Sequence, residues 1–452
     1  MMTLSHAIIN GSLNRTTHPE RSVAAYAVSN SLQVLSESPM VMLRQTGAAL
    51  VRDRAAWRVY ARVALRAILL DQLICLAIAW TPLSHLVFHY WLGVKDELFP
   101  ATVDVFRVHL WVALFSMLRS VFHTVLLVKQ KTLWVTLGMG LRLALMLALA
   151  ALFTQTGWLD SGVRGAVIFL AGMAMEALAG LGAFRKWFRS LPERLAHPTA
   201  GARPPVVTAD DGSSIAPEAT GLPDYHPASP SRGPLTTERV ARFYLPLVIA
   251  ALTSAMGPAI VNSGLSRMAD PQSVIATAAI ANVVGFLVMG PLFMLHQVSL
   301  FFAPPLLSAA RSNDPRDRTV KWFCANVGLG ASVLLGLLAW TPGGDWLLAW
   351  PFQAPLSLLP QIKAVLRLSM FLPLISVWNE FRNGKLLATG RSAVLTLSKL
   401  CNIAVLAAAV MTLVRLVPEL GARVSPLAVL CALGAEQTLL WAASARLRRT
   451  GL

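Results

Sequence analysis

The residues able to do chemistry here are ionisable side chains set inside long apolar stretches. They are Glu37, Arg44, Asp71, Arg107, His109, Arg119, His123, Arg142, Glu176, His296, Lys363, Arg367, Glu380, Lys399 and Glu436. A charge at bilayer depth is costly unless it is paired or faces water, so each is a candidate for handling an ion or a substrate. Two combinations are sharper than the rest. Arg142 with Glu176, and Lys399 with Glu436, each place one cation and one carboxylate on two consecutive apolar segments. Such a pair either fixes helix packing or holds a proton or Na⁺ whose binding is set by neighbouring charge and burial.

Other chemistries find no foothold. Cys75, Cys324, Cys401 and Cys431 have no paired spacing and read as packing residues. There is no CxxC, no HExxH and no His/Cys cluster with metal-ligand spacing, so no metal site is expected. Gly138-Met139-Gly140 lies within an apolar segment and lacks the GK[ST] ending of a phosphate-binding loop. Any transport must then be driven by an ion gradient, H⁺ or Na⁺, or by the substrate's own gradient, with no bound cofactor.

The elements that position these residues are written twice. Residues 6–45 and 258–297 align at a constant offset of 252 with 14 identities and no gap. AIINGSLNR (7–15) matches AIVNSGLSR (259–267), and Pro19, Asn30, Pro39 and Gln45 fall on Pro271, Asn282, Pro291 and Gln297. Further on, Ala79-Trp80-Thr81-Pro82 recurs as Ala339-Trp340-Thr341-Pro342, and Glu176 falls on Glu436. Duplicated halves in an apolar chain are the mark of a transporter with its site at the repeat interface.

Composition agrees, with 55% hydrophobic and 13% charged residues over 452 positions. That excludes an ordinary soluble domain. A bilayer core of about 30 Å needs about 20 apolar residues per helix. Helices are expected near 2–14, 23–49, 63–83, 101–127, 132–154, 162–184, 240–265, 274–308, 321–341, 356–381, 392–416 and 424–445. The expectation is an all-α polytopic membrane protein of about twelve transmembrane helices in two pseudo-symmetric six-helix bundles. The two bundles are residues 1–189 and 238–452, joined by a Pro-rich flexible linker over 190–237. The first helix is shorter than its repeat partner, which begins with ERVARFYLPLVIAALTSAMG (238–257), so about sixteen residues are expected to be missing before Met1.

Basic residues set the orientation. Twenty-four Lys and Arg fall in loops on one side, including Arg52, Arg54, Lys129, Arg185, Arg318 and Arg446, against seven on the other. This places both termini and the linker in the cytoplasm of an inner membrane. It also accounts for the net charge of +17 as topology signal and lipid-headgroup contact, with no nucleic-acid partner.

Pro39 and Pro291 are expected to kink two equivalent helices, with Arg44 and Gln45, or His296 and Gln297, about one and a half turns further on. Asn10 with Asn262 and Asn30 with Asn282 add amides at equivalent depths, suited either to a midplane site or to interhelical hydrogen bonds. The copies differ at Glu37 against Met289 and at Arg44 against His296.

RFYLPLVIAALTSAMGPAIVNSGLSRMADPQSVIATAAIANVVGFLVMGPLFMLHQ (242–297), NGKLLATGRS (383–392) and VLLVKQKT (125–132) resemble the multidrug/oligosaccharidyl-lipid/polysaccharide (MOP) flippase superfamily. Within it the chain is most similar to MATE-type and progressive ankylosis-like transporters. The resemblance implies two bundles forming a V around a central cavity lined by Asn10, Tyr26, Asn30, Glu37, Arg44, Gln45, Asn262, Asn282, His296 and Gln297. The acidic cation site that many MATE exporters carry in the first or seventh helix has no counterpart, Glu37 being the nearest substitute. Intramembrane basic residues outnumber acidic ones, which favours an anionic solute over a cationic drug. A lipid-linked glycan is the other transported class. A non-transporting membrane scaffold and a membrane-embedded glycan-processing enzyme are readings of different kinds, the latter disfavoured by short external loops and scattered aspartates. The expected partners are the bilayer and a small-molecule or lipid-linked substrate, with the chain acting as a monomer.

Overall fold

Apolar runs of this length cannot leave backbone amides unpaired in a bilayer, and a helix is the structure that satisfies them within the run. The computed structural model describes residues 2–193, 235–302, 315–350, 352–388 and 392–450, and no strand occurs among them. The first half contributes α1 (Met2–Leu13), α2 (Pro19–Leu50), α3 (Arg54–Trp80), a π-helical turn (His85–Trp91), α4 (Phe99–Val128), α5 (Thr132–Thr156) and α6 (Val163–Phe188). The second half contributes α7 (Thr237–Leu265), α8 (Pro271–Met289), a 3-10 turn (Gly290–Met294), α9 (Leu295–Phe302), α10 (Pro315–Trp340) and α11 (Pro342–Ala349). It continues with α12 (Leu359–Ser369), α13 (Leu372–Ala388), α14 (Ser392–Leu416), a second 3-10 turn (Pro418–Arg423) and α15 (Val424–Thr450). Among the described residues, ten helical segments are long and apolar enough to cross a membrane.

The sequence repeat is a structural repeat, and its clearest trace lies in irregular backbone. After α3 and after α10, Thr81 and Thr341 cap the helix by donating their hydroxyls to Ala77 O and Leu337 O, each at 2.6 Å. Val94 N donates to Phe88 O and Ala354 N to Leu348 O, both at 2.9 Å. Between these partners the chain turns through positive φ at Gly93 (69°) and at Gln353 (47°). Glycine enters this region freely, whereas Gln353 holds it against its own Cβ. The cation over an indole also recurs, Arg107 at 5.9 Å from Trp80 and Arg367 at 4.2 Å from Trp340.

Within the first half α2 packs on α4, α4 on α6 and α5 on α6; within the second, α14 packs on α15 and α7, and α13 on α9, α10 and α15. The halves meet where α2 lies against α7 and α8, with α1 on α8 and α3 on α7 beside it. Small residues allow the close approaches. A Cβ at Gly264 of α7 would overlap Val410 of α14. Trp80, Trp158, Trp340, Trp346 and Trp350 are exposed near one end of the bundle, and Trp134, Trp322 and Trp441 toward the other, which carries most of the basic residues. These positions suit the two membrane interfaces.

Two departures from the sequence reading have local causes. The expected helix over 356–381 is broken between Ser369 and Leu372, because Pro373 lacks the amide hydrogen that would bond Ser369 O and its ring crowds that carbonyl. The expected helix over 274–308 is interrupted by the 3-10 turn containing Gly290-Pro291; residues 303–308 lie outside the described residues, as does most of the 190–237 linker. At Pro39, by contrast, α2 runs on as one 32-residue helix. Proline leaves the carbonyl four residues earlier without its amide, and there Ser38 Oγ donates to Leu35 O at 3.0 Å. The helical hydrogen-bond pattern thus continues past Pro39 and changes at Pro291.

Candidate site: buried ion networks and the seam between the halves

Glu176 on α6 is fully buried, and its Oε2 receives Arg142 Nη1 of α5 and Arg119 Nη1 of α4, each at 3.1 Å. Arg119 reaches on to Glu37 Oε1 of α2 at 3.5 Å. Glu37 also accepts Gln33 Nε2 at 2.7 Å and Ser116 Oγ at 2.8 Å, while Arg142 donates to Ser5 Oγ of α1 at 3.1 Å. Arg142 and Glu176 are thus two members of a four-charge network that ties together α1, α2, α4, α5 and α6. Two carboxylates face two guanidiniums, so the network is electrically balanced. Arg119 was visible in the sequence as an intramembrane cation but not as a partner, since it arrives from α4 through packing alone.

The second half has a smaller counterpart. Lys399 Nζ of α14 stands 2.6 Å from Glu436 Oε1 of α15, and Asn402 Nδ2 donates to Glu436 Oε2 at 2.9 Å. Glu436 is fully buried, yet Lys399 is 42% exposed, so this pair is open on one side where the first network is closed. Nearby, His296 Nδ1 of α9 lies 2.9 Å from Glu380 Oε2 of α13.

The residues expected to line a cavity divide accordingly. Glu37 is drawn into the first network. Tyr26 is buried, with its hydroxyl unpartnered and its ring edge-on to His109 at 5.0 Å, and His109 shares a 2.8 Å hydrogen bond with Ser29. Asn10 donates within its own helix to His6 O at 3.0 Å, leaving its buried Oδ1 unpartnered, and Asn30 Oδ1 is also unpartnered. Asn262 spends its amide across the seam, donating to Ala27 O of α2 at 3.1 Å, and Asn282 is half-buried. Arg44 is half-buried without a hydrogen-bond or salt-bridge partner among the described residues, Gln45 is exposed, and the side chain of Gln297 lies outside the described residues. Near Arg44, His123 is buried with both ring nitrogens unpartnered.

At the end away from the basic loops, the halves are joined by contacts that obey the repeat. Arg15 Nε donates to Gln353 Oε1 at 2.5 Å, and Asn14 Nδ2 to Phe352 O at 2.6 Å. In the equivalent place Arg267 Nη2 donates to Tyr90 O at 3.1 Å and Trp91 O at 3.0 Å. Ser263 Oγ also reaches Trp91 O, at 2.9 Å. Two further bonds form the same pattern, Ser357 to Glu20 at 3.4 Å and Gln272 to Glu97 at 3.5 Å. Each half therefore inserts the corner between its first two helices into the other half's loop. The first corner is anchored in its own half by Thr17, whose hydroxyl and amide both donate to Asp160. The Thr17 hydroxyl holds the Asp160 carboxyl below the usual carboxylate range. None of this seam was foreseen, although Arg15 and Arg267 superpose in the repeat.

No family model and no curated protein sequence matches the chain. Solved structures do. A multidrug resistance MATE family transporter of the MOP superfamily, in its inward-facing conformation, superposes with a TM-score of 0.69 at 14% identity, over 99% of this chain and 95% of that one. The MATE multidrug transporter DinF-BH gives 0.58 at 14% identity over 98% and 92%. The lipid II flippase MurJ, in an inward closed conformation, gives 0.57 at 11% identity over 100% and 89%. The chain has the fold of the MATE-type transporters of the MOP superfamily.

Proposed function

We propose that the chain is a secondary transporter working by alternating access. It is captured here with its far end shut, and its substrate is an anionic solute. The observation that carries this reading is the seam: two repeat-related corners lock the halves together at one end, and Tyr244 Oη of α7 donates to Pro39 O of α2 at 2.8 Å deeper in. A pair of bundles joined by exchangeable polar contacts can rock about the α2–α7–α8 contact without breaking either core. The basic end is cytoplasmic by the excess of Lys and Arg in its loops, which puts both termini inside and the locked end outside the inner membrane. The halves divide at the 190–237 segment, and the chain acts as a monomer within the bilayer.

Charge supports an anion. The first network is balanced, so Arg44 stands as a half-buried guanidinium with no carboxylate of its own among the described residues, and His123 close by adds ring nitrogens with no partner. A phosphate or carboxylate would satisfy both, and a cationic drug neither. Efflux from energised vesicles across anions, lipid-linked sugars and cationic dyes, with and without ΔpH or Na⁺, tests the reading. Arg44→Gln is expected to cut anion efflux at least about tenfold, the loss of one charge-assisted contact. Unchanged anion efflux with impaired cation efflux would overturn it, and a lipid-linked glycan as the one translocated species would place the chain with the flippases.

A further inference from the structure

Every carboxyl group at membrane depth must be neutralised in some way, and sorting the described ones by how this happens separates one from the rest. Glu37 and Glu176 share guanidiniums, Glu436 has Lys399, and Glu380 has His296. Asp71, at the middle of α3, has no described cationic side chain within salt-bridge distance. Ser36 Oγ of α2 stands 2.9 Å from both of its oxygens, and Gln72 Nε2, at 3.5 Å, is committed instead to Leu110 O of α4 at 2.9 Å. Leu69, Leu70, Leu73 and Ile74 around it on α3 are exposed apolar side chains. One hydroxyl cannot stabilise a half-buried carboxylate among apolar side chains as a guanidinium does, so the alternative open to Asp71 is to carry a proton.

The surroundings of Asp71 let it change state. When Asp71 is ionised, Ser36 donates to it. When it is protonated, the carboxyl O–H donates to Ser36 Oγ, and the serine hydroxyl turns to another acceptor. The titratable groups facing this place are few. Cys75 on α3 itself lies 3.5 Å from Ser36 Oγ, and Tyr244 on α7 is within electrostatic range of Asp71. From α4 the nearest partner is the Leu110 carbonyl, and the charged neighbours on α2 and α4, Glu37 and Arg119, are occupied with each other. Tyr244 matters because its hydroxyl makes the bond to Pro39 O across the halves, and Pro39 lies one turn beyond Ser36.

We propose that Asp71 is the carboxyl that binds the coupling proton, and that its proton occupancy biases the α2–α7 contact. The proposal rests on the transporter reading for the word coupling, but proton binding itself can be tested without transport. Dicyclohexylcarbodiimide reacts with protonated carboxyls in apolar surroundings. The purified full chain in lipid nanodiscs would be treated across about pH 5 to about pH 9 and its peptides quantified by mass spectrometry. The expected result is labelling of Asp71 that falls about tenfold per pH unit above its midpoint, with little labelling of Glu37 or Glu176. Labelling of Glu37 or Glu176 while Asp71 stays unmodified would overturn it, as would labelling of Asp71 that does not vary with pH. In proteoliposomes that transport, Asp71→Asn is expected to flatten the pH dependence that the exposed control Arg242→Gln preserves, and Asp71→Glu to restore it. Retained pH dependence in Asp71→Asn overturns the coupling. Absence of transport in every preparation refutes the transporter reading and leaves the labelling to decide on the proton.

Discussion

Replacing Arg119 by Met removes the one cation shared by two buried carboxylates. The side chains of Arg119, Glu37 and Glu176 are 6%, 5% and 0% exposed, so water cannot take the guanidinium's place. The variant would hold two carboxylates against Arg142 alone, an uncompensated negative charge. Breaking a buried pair from one side costs about 3–5 kcal/mol, or roughly two to four powers of ten in the folding equilibrium. The double variant Glu37→Gln/Arg119→Met restores the balance, leaving Arg142 with Glu176 and keeping an acceptor for Gln33 and Ser116. It should recover at least about half of the loss, because the penalty comes from the orphaned charge and not from the missing contact. Arg242→Gln, which breaks an exposed pair with Glu238, is the control and should stay within about 0.5 kcal/mol. Reversible unfolding in bicelles followed by circular dichroism measures all three. If Arg119→Met cost under about 1 kcal/mol, or if the double variant were no more stable than the single, the balanced-network argument would be wrong.

Other variants probe the seam and the packing. Arg15→Gln with Arg267→Gln should release both corners; at about 1 kcal/mol for each, closure is weakened roughly thirtyfold, read as lost cross-linking between cysteines placed at positions 20 and 357. Unchanged cross-linking would mean that the corners do not hold the halves together. Gly264→Ala drives a Cβ into Val410 and should destabilise by about 1–3 kcal/mol, with Val410→Ala in the same chain restoring stability in the same assay. Asp160→Asn should lower the melting temperature slightly at neutral pH. Because the folded carboxyl titrates below its ordinary value, its contribution is complete above about pH 4 and fades as pH falls through the lowered value. The two melting curves should therefore converge in acid, and a gap that widens there would contradict the assignment.

What the sequence disclosed depended on whether the signal was local or repeated. Periodic apolar runs are local, so the helices and their order could be read directly, whereas the break before α13 was missed because the apolar run continues through Pro373. The repeat carried Arg142, Glu176, Lys399 and Glu436 into matched positions before any contact was known. Arg119 and the interlocked corners were hidden because they join segments distant in the chain, and no spacing rule links α4 to α6 or Arg15 to Gln353. Pro39 and Pro291 illustrate the remaining limit. Around identical, aligned residues the helix continues at one, where Ser38 Oγ bonds Leu35 O, and gives way to a 3-10 turn at the other, which Gly290 precedes.

Helix α2 has a consequence for how the molecule is made. It carries Glu20, Arg21, Gln33, Glu37, Arg44 and Gln45, and it is not among the segments apolar enough to cross a membrane unaided. Glu37 is met by Ser116 of α4, and across the seam α7 bonds the Ala27 and Pro39 carbonyls while α8 packs beside it; α7 and α8 are synthesised long after α2. A nascent chain cannot leave such a helix alone among lipid tails. Biogenesis must therefore shelter α2, at the insertion machinery or in a provisional hairpin with α1, until the second half arrives, and truncation before α8 should yield a chain that quality control removes.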